Sequence, residues 1–339
     1  TDENGLPSKV IYEMVQDTSG FLWIGTNNGF CRYDGQEFKV YQNVAAKDQE
    51  FIGVYVSPTN VTWCWNISGQ LFHVKNDELI LYKPINDSLK DFYTNKVIGN
   101  ENGDIWIGTN EHWKATIIKC NKSDSCALIP KVNTEREMYK FFNELKDFHK
   151  EKTFILRKLH FFGIGRNSSL FKFYTKNKIK DHTTYYFLDK NDALCFYTIN
   201  SFIGRVSLLK DECQIEPHPI MKQLSRDISQ KISGVNIDKD GNWWIRTSNE
   251  VYAYSKDLEP INNGKPIIKG IQVNEIIQDK EGGYWLATNG KGLYYMPNYQ
   301  VISYNETNSI LNEDWILSIL PMDETNNLLF STTGKCVIG

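Results

Sequence analysis

The chemistry-bearing residues in this chain are few, and they stand out against a recurring sentence. "DTSGFLWIGTNNG" from Asp17, "DKDGNWWIRTSNE" from Asp238 and "DKEGGYWLATNGKG" from Asp279 share the pattern D-x-x-G-x-x-W-[IL]-x-T, and "ENGDIWIGTN" from Glu101 is a shorter cousin that keeps G-x-x-W-I-x-T. Two positions after the tryptophan, Gly25 and Gly108 supply a slim residue, but Arg246 and Trp65 replace it in other copies. A guanidinium pairs with carboxylate or sulfate, and an indole face stacks on a sugar ring. His112 and Trp113 stand where a Gly-apolar pair is expected, and Lys291 lies in the corresponding loop of a later copy. Arg166 in "GIGRNSS" and Trp315 in "NEDWILS" are further ligand candidates. Each has a structural alternative. Trp65 could plug an interior channel, Arg246 could meet an acidic neighbour, and His112 and Trp113 could form a surface loop that packs its own aromatic.

Catalytic and metal signatures are sparse. The histidines at 73, 112, 149, 160, 182 and 218 show no HxH or HExxH spacing, and no GxSxG or Walker A motif occurs. No metal site and no cofactor is expected. The seven cysteines at 31, 64, 120, 126, 195, 213 and 336 form no CxxC pair. Cys120 and Cys126 could close a small loop in an oxidising compartment, but separate buried thiols are the preferred reading. The net charge of −3 argues against a nucleic-acid surface. Hydrophobic residues at 41% and charged residues at 23% fit a globular domain, and no apolar run approaches a membrane span. The first residues, "TDENGLPSKV", show no signal peptide, although a targeting segment could have been removed.

The elements that must carry these residues follow from the repeat. Its period is about 40–45 residues, the mark of a stacked or radial array. "SKVIYEMVQD", "FLWIGT", "GFCRYD" and "EFKVYQ" read as four short strands separated by turn signals at Asp17–Gly20 and Asp34–Gly35. Four antiparallel strands per unit make a propeller blade, so the fold class is an all-β propeller. The structural repeat residues are Asp17, Gly20 and Trp23, then Gly103 and Trp106, then Asp238, Gly241 and Trp244, and finally Asp279, Gly282 and Trp285. The Gly supplies the positive φ of the turn, the Asp accepts a backbone N–H in it, and the Trp fills the seam between blades. Trp63 lies midway between Trp23 and Trp106, while Cys195 and Leu329 take the Trp position in weaker copies. "KTFILRKLHFFGIGRNSSLFKF" is the degraded fourth copy, and "TEREMYKFFNELKDFHKEK", residues 134–152, has helix spacing. Eight cores fit seven blades over residues 1–311 plus a truncated repeat over 312–339, which either opens a second propeller or closes the ring. One eight-bladed ring is the alternative.

The run "ENGLPSKVIYEMVQDTSGFLWIGTNNGFCRYDGQEFKVYQN" resembles the opening repeat of the sensor region in hybrid two-component systems of gut anaerobic bacteria. The likeness is specific over residues 5–43, 94–110 and 228–311, and weak over 48–85 and 133–220. It implies a periplasmic sensor with two seven-bladed propellers and an immunoglobulin-like domain. A membrane helix, a cytoplasmic histidine kinase and a DNA-binding regulator would follow. On that resemblance the chain is the ligand-sensing part of an inner-membrane protein. It would bind a glycan fragment, perform no chemistry, bind no nucleic acid, and signal through a homodimer attached to the membrane by a C-terminal segment. The alternatives are a propeller glycoside hydrolase or lyase and a protein-interaction propeller. A sialidase-like S-x-D-x-G-x-x-W repeat is absent, since Val15 and Asn236 occupy the Ser position.

Overall fold

A computed structural model describes residues 5–86, 93–111, 114–128, 154–157, 183–188, 194–198, 202–209, 212–228, 231–299, 316–322, 327–332 and 336–338. The helix expected over 134–152 lies outside these residues. The chain divides into two compact units, Thr1–Met296 and Pro297–Gly339.

Among the described residues, the first unit holds six antiparallel sheets, each strand pairing with the next in sequence. The first sheet is β1 (Ile11–Gln16), β2 (Leu22–Thr26), β3 (Gly29–Tyr33) and β4 (Phe38–Tyr41). The second is β5 (Phe51–Val56), β6 (Thr62–Asn66), β7 (Leu71–Lys75) and β8 (Glu78–Leu81). The third is β9 (Tyr93–Gly99), β10 (Ile105–Glu111), β11 (Lys114–Cys120) and β12 (Cys126–Leu128). The fourth has five strands, β13 (Phe154–Arg157), β14 (Thr183–Leu188), β15 (Leu194–Thr198), β16 (Phe202–Leu209) and β17 (Glu212–Pro217). The fifth is β18 (Gly234–Ile237), β19 (Trp243–Arg246), β20 (Glu250–Tyr254) and β21 (Ile268–Lys269). The sixth has three, β22 (Val273–Gln278), β23 (Tyr284–Thr288) and β24 (Leu293–Met296). The second unit carries β25 (Ile316–Met322), β26 (Asn327–Thr332) and β27 (Cys336–Ile338), with Leu329 paired to Leu320 and Ile338.

The first strands follow one another around an axis, as in a propeller. β1 lies beside β5, β5 beside β9, β9 beside β13, β18 beside β22, and β22 beside β1. The fourth and fifth sheets share a core in which Cys195, Tyr197 and Ile203 meet Val235, Trp243 and Ile245. Six sheets of the first unit fall among the described residues. Of the degraded fourth copy only β13 is described, and it pairs with β14.

The repeated tryptophan sits at equivalent seams. Trp23 packs with Phe51, Val54, Cys64 and Phe72 of the next sheet. Trp63 joins Val97, Ile105 and Ile107. The Trp244 ring lies 4.7 Å from Tyr284, and Trp285 meets Tyr33 edge-on at 5.8 Å. Each indole is also tethered to its own turn. Asp17 Oδ2 accepts from Trp23 Nε1 at 2.8 Å while Oδ1 accepts the Ser19 and Phe21 amides at 2.8 and 3.0 Å. Asp238 and Asp279 hold Trp244 and Trp285 in the same way, each at 3.0 Å. Gly20, Gly103, Gly241 and Gly282 all take the left-handed φ that the turn demands. In the second sheet Ser57 replaces the Asp. Its hydroxyl still accepts the Val61 amide at 3.0 Å, but buried Trp63 Nε1 has no partner among the described residues.

The cysteine expectation is corrected by the third sheet. Cys120 and Cys126 are directly opposed on β11 and β12 and form a disulfide. The turn between them, with Asp124 at φ 62°, brings the two Cα atoms to 4.0 Å. Cys31, Cys64 and Cys195 are buried free thiols.

Two predictions follow from these contacts. Asp17→Ala strands two backbone donors and a buried indole, so urea unfolding should show a loss of about 3 kcal/mol, whereas Ser57→Asp should gain about 1 kcal/mol by capturing Trp63. His73 packs at a tilt against Trp63 with ring centroids 5.2 Å apart, and burial pushes its imidazole below the usual range, with Asp124 opposing the shift and Lys75 adding to it. The unfolded chain therefore binds more protons than the folded one as pH falls through the ordinary histidine range. Stability should be full above about pH 6.5 and should decline below it. In chemical denaturation, His73→Phe should flatten that decline.

Candidate functional site

One position of the repeat builds the axis. Four residues before each turn cap, the inner strand presents Glu13, Gly53, Lys96, Gly234 and Glu275 in five of the six described sheets, and Tyr185 in the fourth. Each is paired across the hairpin with the slim-residue position of the second strand. The pairs are Glu13 with Gly25, Gly53 with Trp65, Lys96 with Gly108, Gly234 with Arg246, and Glu275 with Ala287. In these five the pairing is reciprocal in size. A long side chain on the inner strand faces Gly or Ala, and a long one on the second strand faces Gly.

The packing explains the reciprocity. A Cβ on Gly53 would lie 1.9 Å from the Trp65 ring, and a Cβ on Gly234 would lie 2.3 Å from Arg246 Nη2. A Cβ on Gly25 would lie 2.6 Å from the Phe51 carbonyl oxygen of the neighbouring sheet. At Gly53 and Gly234 a second bulky side chain has no room in an interior packed to crystal-like density, whereas the fourth sheet pairs Tyr185 with Tyr197 at the same positions. Irregular pairing adjoins several of these positions, between Ile11 and Glu13, between Phe51 and Gly53, and between Val273 and Glu275. Such bulges re-aim side chains at functional rims.

The charged members are paired. Lys96 Nζ reaches past the second sheet to Glu13 Oε1 at 2.6 Å, and it lies 5.9 Å from the Trp65 ring centroid. Glu13 Oε2 also accepts the Val54 amide at 3.1 Å. Arg246 Nη2 is 3.7 Å from Glu275 Oε2, and Nη1 donates to the Val273 carbonyl at 3.4 Å. Asn236 Nδ2 donates to Glu275 Oε1 at 2.8 Å. Two buried atoms, Arg246 Nε and Asn236 Oδ1, have no partner among the described residues.

The sequence candidates are thus distributed as follows. Trp65 is 2% exposed and lies between Gly53 and Lys96, filling the interior at that point. Arg246 is buried and meets an acidic neighbour, Glu275. Lys291 is exposed in the β23–β24 loop, where its amide donates to Thr288 Oγ1 at 3.1 Å. His112, Trp113, Arg166 and Trp315 lie outside the described residues. Glu13, Lys96, Asn236 and Glu275 were not singled out from sequence. The signal was available in the fixed four-residue offset from the cap, where charge alternates with glycine. Among the described residues no group of three or more His, Cys, Asp or Glu is placed to hold a metal ion, and no helix is long and apolar enough to cross a membrane.

Comparison with known proteins agrees with this architecture. Residues 5–28 match the family model described as two component regulator propeller. The extracellular domain assigned to a hybrid two-component system of B. thetaiotaomicron aligns over 100% of this chain and 47% of its own, at 14% identity and a TM-score of 0.54. A second extracellular domain from that organism covers 98% of the chain at 14% identity, 38% of its own length and a TM-score of 0.45. The virginiamycin B lyase of Staphylococcus aureus covers 96% of the chain and 92% of its own at 14% identity and a TM-score of 0.40. No match to a curated protein sequence was found. The chain therefore spans about half the length of the first of these structures, whose likeness shows the fold. Residues 5–28 thus carry one two component regulator propeller repeat, within a first unit whose sheets follow one another as in a propeller.

Mutation of the reciprocal pair tests the packing account. Gly53→Ala should destabilise the protein by more than about 2 kcal/mol, since overpacking a full interior costs about 1–3 kcal/mol. Trp65→Ala should cost about 3–5 kcal/mol through the cavity it leaves. The Gly53→Ala, Trp65→Ala double variant should be more stable than the sum of the single losses, as read in a double-mutant cycle by denaturant unfolding.

Proposed function

We propose that the chain is the ligand-sensing region of a hybrid two-component receptor, lying outside the cytoplasm and binding a glycan fragment. The observation that carries this reading is the two component regulator propeller repeat at residues 5–28, which forms the opening strands of the first sheet. The Cys120–Cys126 disulfide supports it, because such bonds persist in oxidising compartments. The polar axial layer supports a small-ligand site, because buried charges and undersatisfied donors inside a rigid ring are set out for recognition. The finer parts of the proposal are periplasmic placement, a histidine kinase joined through a membrane segment, and signalling by a shift between two arrangements of a homodimer. The chain itself performs no chemistry in this reading. A ring of seven blades, completed by the residues around 134–182, belongs to the same proposal, as does the start of a second propeller near residue 312.

Titration calorimetry of the chain against a panel of oligosaccharides, with product analysis of each mixture, is the test. Heat of binding with no product is the expected result. Cleaved product would replace the reading with a glycoside hydrolase or lyase, and the absence of both heat and product would replace it with a protein-interaction module.

A further inference from the structure

We propose that Arg246, Asn236 and Glu275 form a subsite for an uncharged, hydroxyl-bearing group, so that the sensed glycan is neutral at this point. The inference rests on the sensor reading above and deepens it.

Three observations converge. First, the two buried unpartnered atoms are one donor, Arg246 Nε, and one acceptor, Asn236 Oδ1. Both belong to side chains that grip the same carboxylate, Glu275, through Oε2 at 3.7 Å and Oε1 at 2.8 Å. The Asn236 amide is oriented by that second bond, because its nitrogen must face the carboxylate. A hydroxyl both donates and accepts, so a hydroxyl-bearing group has what each of the two orphans lacks. A carboxylate or sulfate only accepts and would leave Asn236 Oδ1 unmet.

Second, the layer is already neutral. Glu275 offsets Arg246, and Glu13 offsets Lys96 at 2.6 Å. An anion entering here would meet two carboxylates as well as two bases, and burying an uncompensated charge is costly. Third, the cradle is shaped for the guanidinium. A Cβ on Gly234 would stand 2.3 Å from Nη2 and 2.7 Å from Nε, so glycine keeps the space in which Arg246 lies. The Arg246 side chain is 9% exposed and Glu275 is 23% exposed, so the carboxylate is the more open member of the pair. Arg246 and Asn236 belong to the fifth sheet and Glu275 to the sixth, so a bound hydroxyl would bridge a seam between sheets.

The experiment uses the whole chain and two probe sets, neutral pentasaccharides of glucose, mannose, xylose and arabinose, and their uronate or sulfated counterparts. Calorimetry should show binding of at least one neutral probe with about 10-fold or greater preference over the charged forms, because a site built around a hydroxyl rejects ligands that leave its polar groups unpaired. Asn236→Leu and Asn236→Asp should each weaken that probe by about 10-fold, with the thermal midpoint showing that the variants remain folded. If both variants unfold, the preference of the unmodified chain for neutral over charged probes still decides. Tightest binding by a uronate or sulfated probe overturns the neutral subsite and leaves the sensor reading standing. Neutral binding unaffected in folded variants does the same and leaves only water at the cluster. Binding by no probe overturns both.

Discussion

A carboxylate that holds a tight turn with one oxygen and a tryptophan with the other is the interaction on which the ring depends. In Asp17, Asp238 and Asp279 the two functions are joined in one side chain. The turn fixes where strand two begins, and the indole bond fixes the angle at which the ring enters the seam. Without that second bond a large flat side chain would have several ways to fill the gap. With it, neighbouring sheets meet at a defined offset, and the offset repeats around the axis. The second sheet shows how the device degrades, since Ser57 keeps the turn but releases the indole.

The axial layer is a different use of the same periodicity. The cap position is nearly constant because it solves the same problem in every copy. The position four residues earlier varies because the copies share one interior. Glycine at 53 and 234 makes room for Trp65 and Arg246, while Glu13, Lys96 and Glu275 stand opposite Gly25, Gly108 and Ala287. The sheets therefore differ where they converge and agree where they abut.

This division explains what was legible beforehand. The strand pattern, the turns and the seam tryptophans are local, so they could be read from spacing alone. The Lys96–Glu13 pair joins residues 83 apart on sheets that are not consecutive, and no window of sequence contains it. Arg246 was visible as an exception to the slim-residue rule, but its partner Glu275 became visible only with the ring closed. Within "KTFILRKLHFFGIGRNSSLFKF" only β13 is described, paired with β14, so the fourth copy is legible as one strand of a sheet and no further. The disulfide was underrated because cysteine burial says nothing about register, and register is what opposes Cys120 to Cys126.

The chain threads from each described sheet of the first unit into the next, but no covalent link returns from the sixth sheet to the first. That junction is closed by the Lys9 carbonyl, which accepts the Gly290 and Gly292 amides at 3.0 and 2.9 Å, and by Asn274, which donates to the Ile11 carbonyl at 2.8 Å. Apolar contacts of Leu6 with Leu293 and Ala287 complete it. Tension applied downstream of Met296 would load this clasp before any other joint. Resistance to opening at this seam is therefore set by non-covalent contacts, those around Lys9 together with Gln16 and Tyr33 against the sixth sheet.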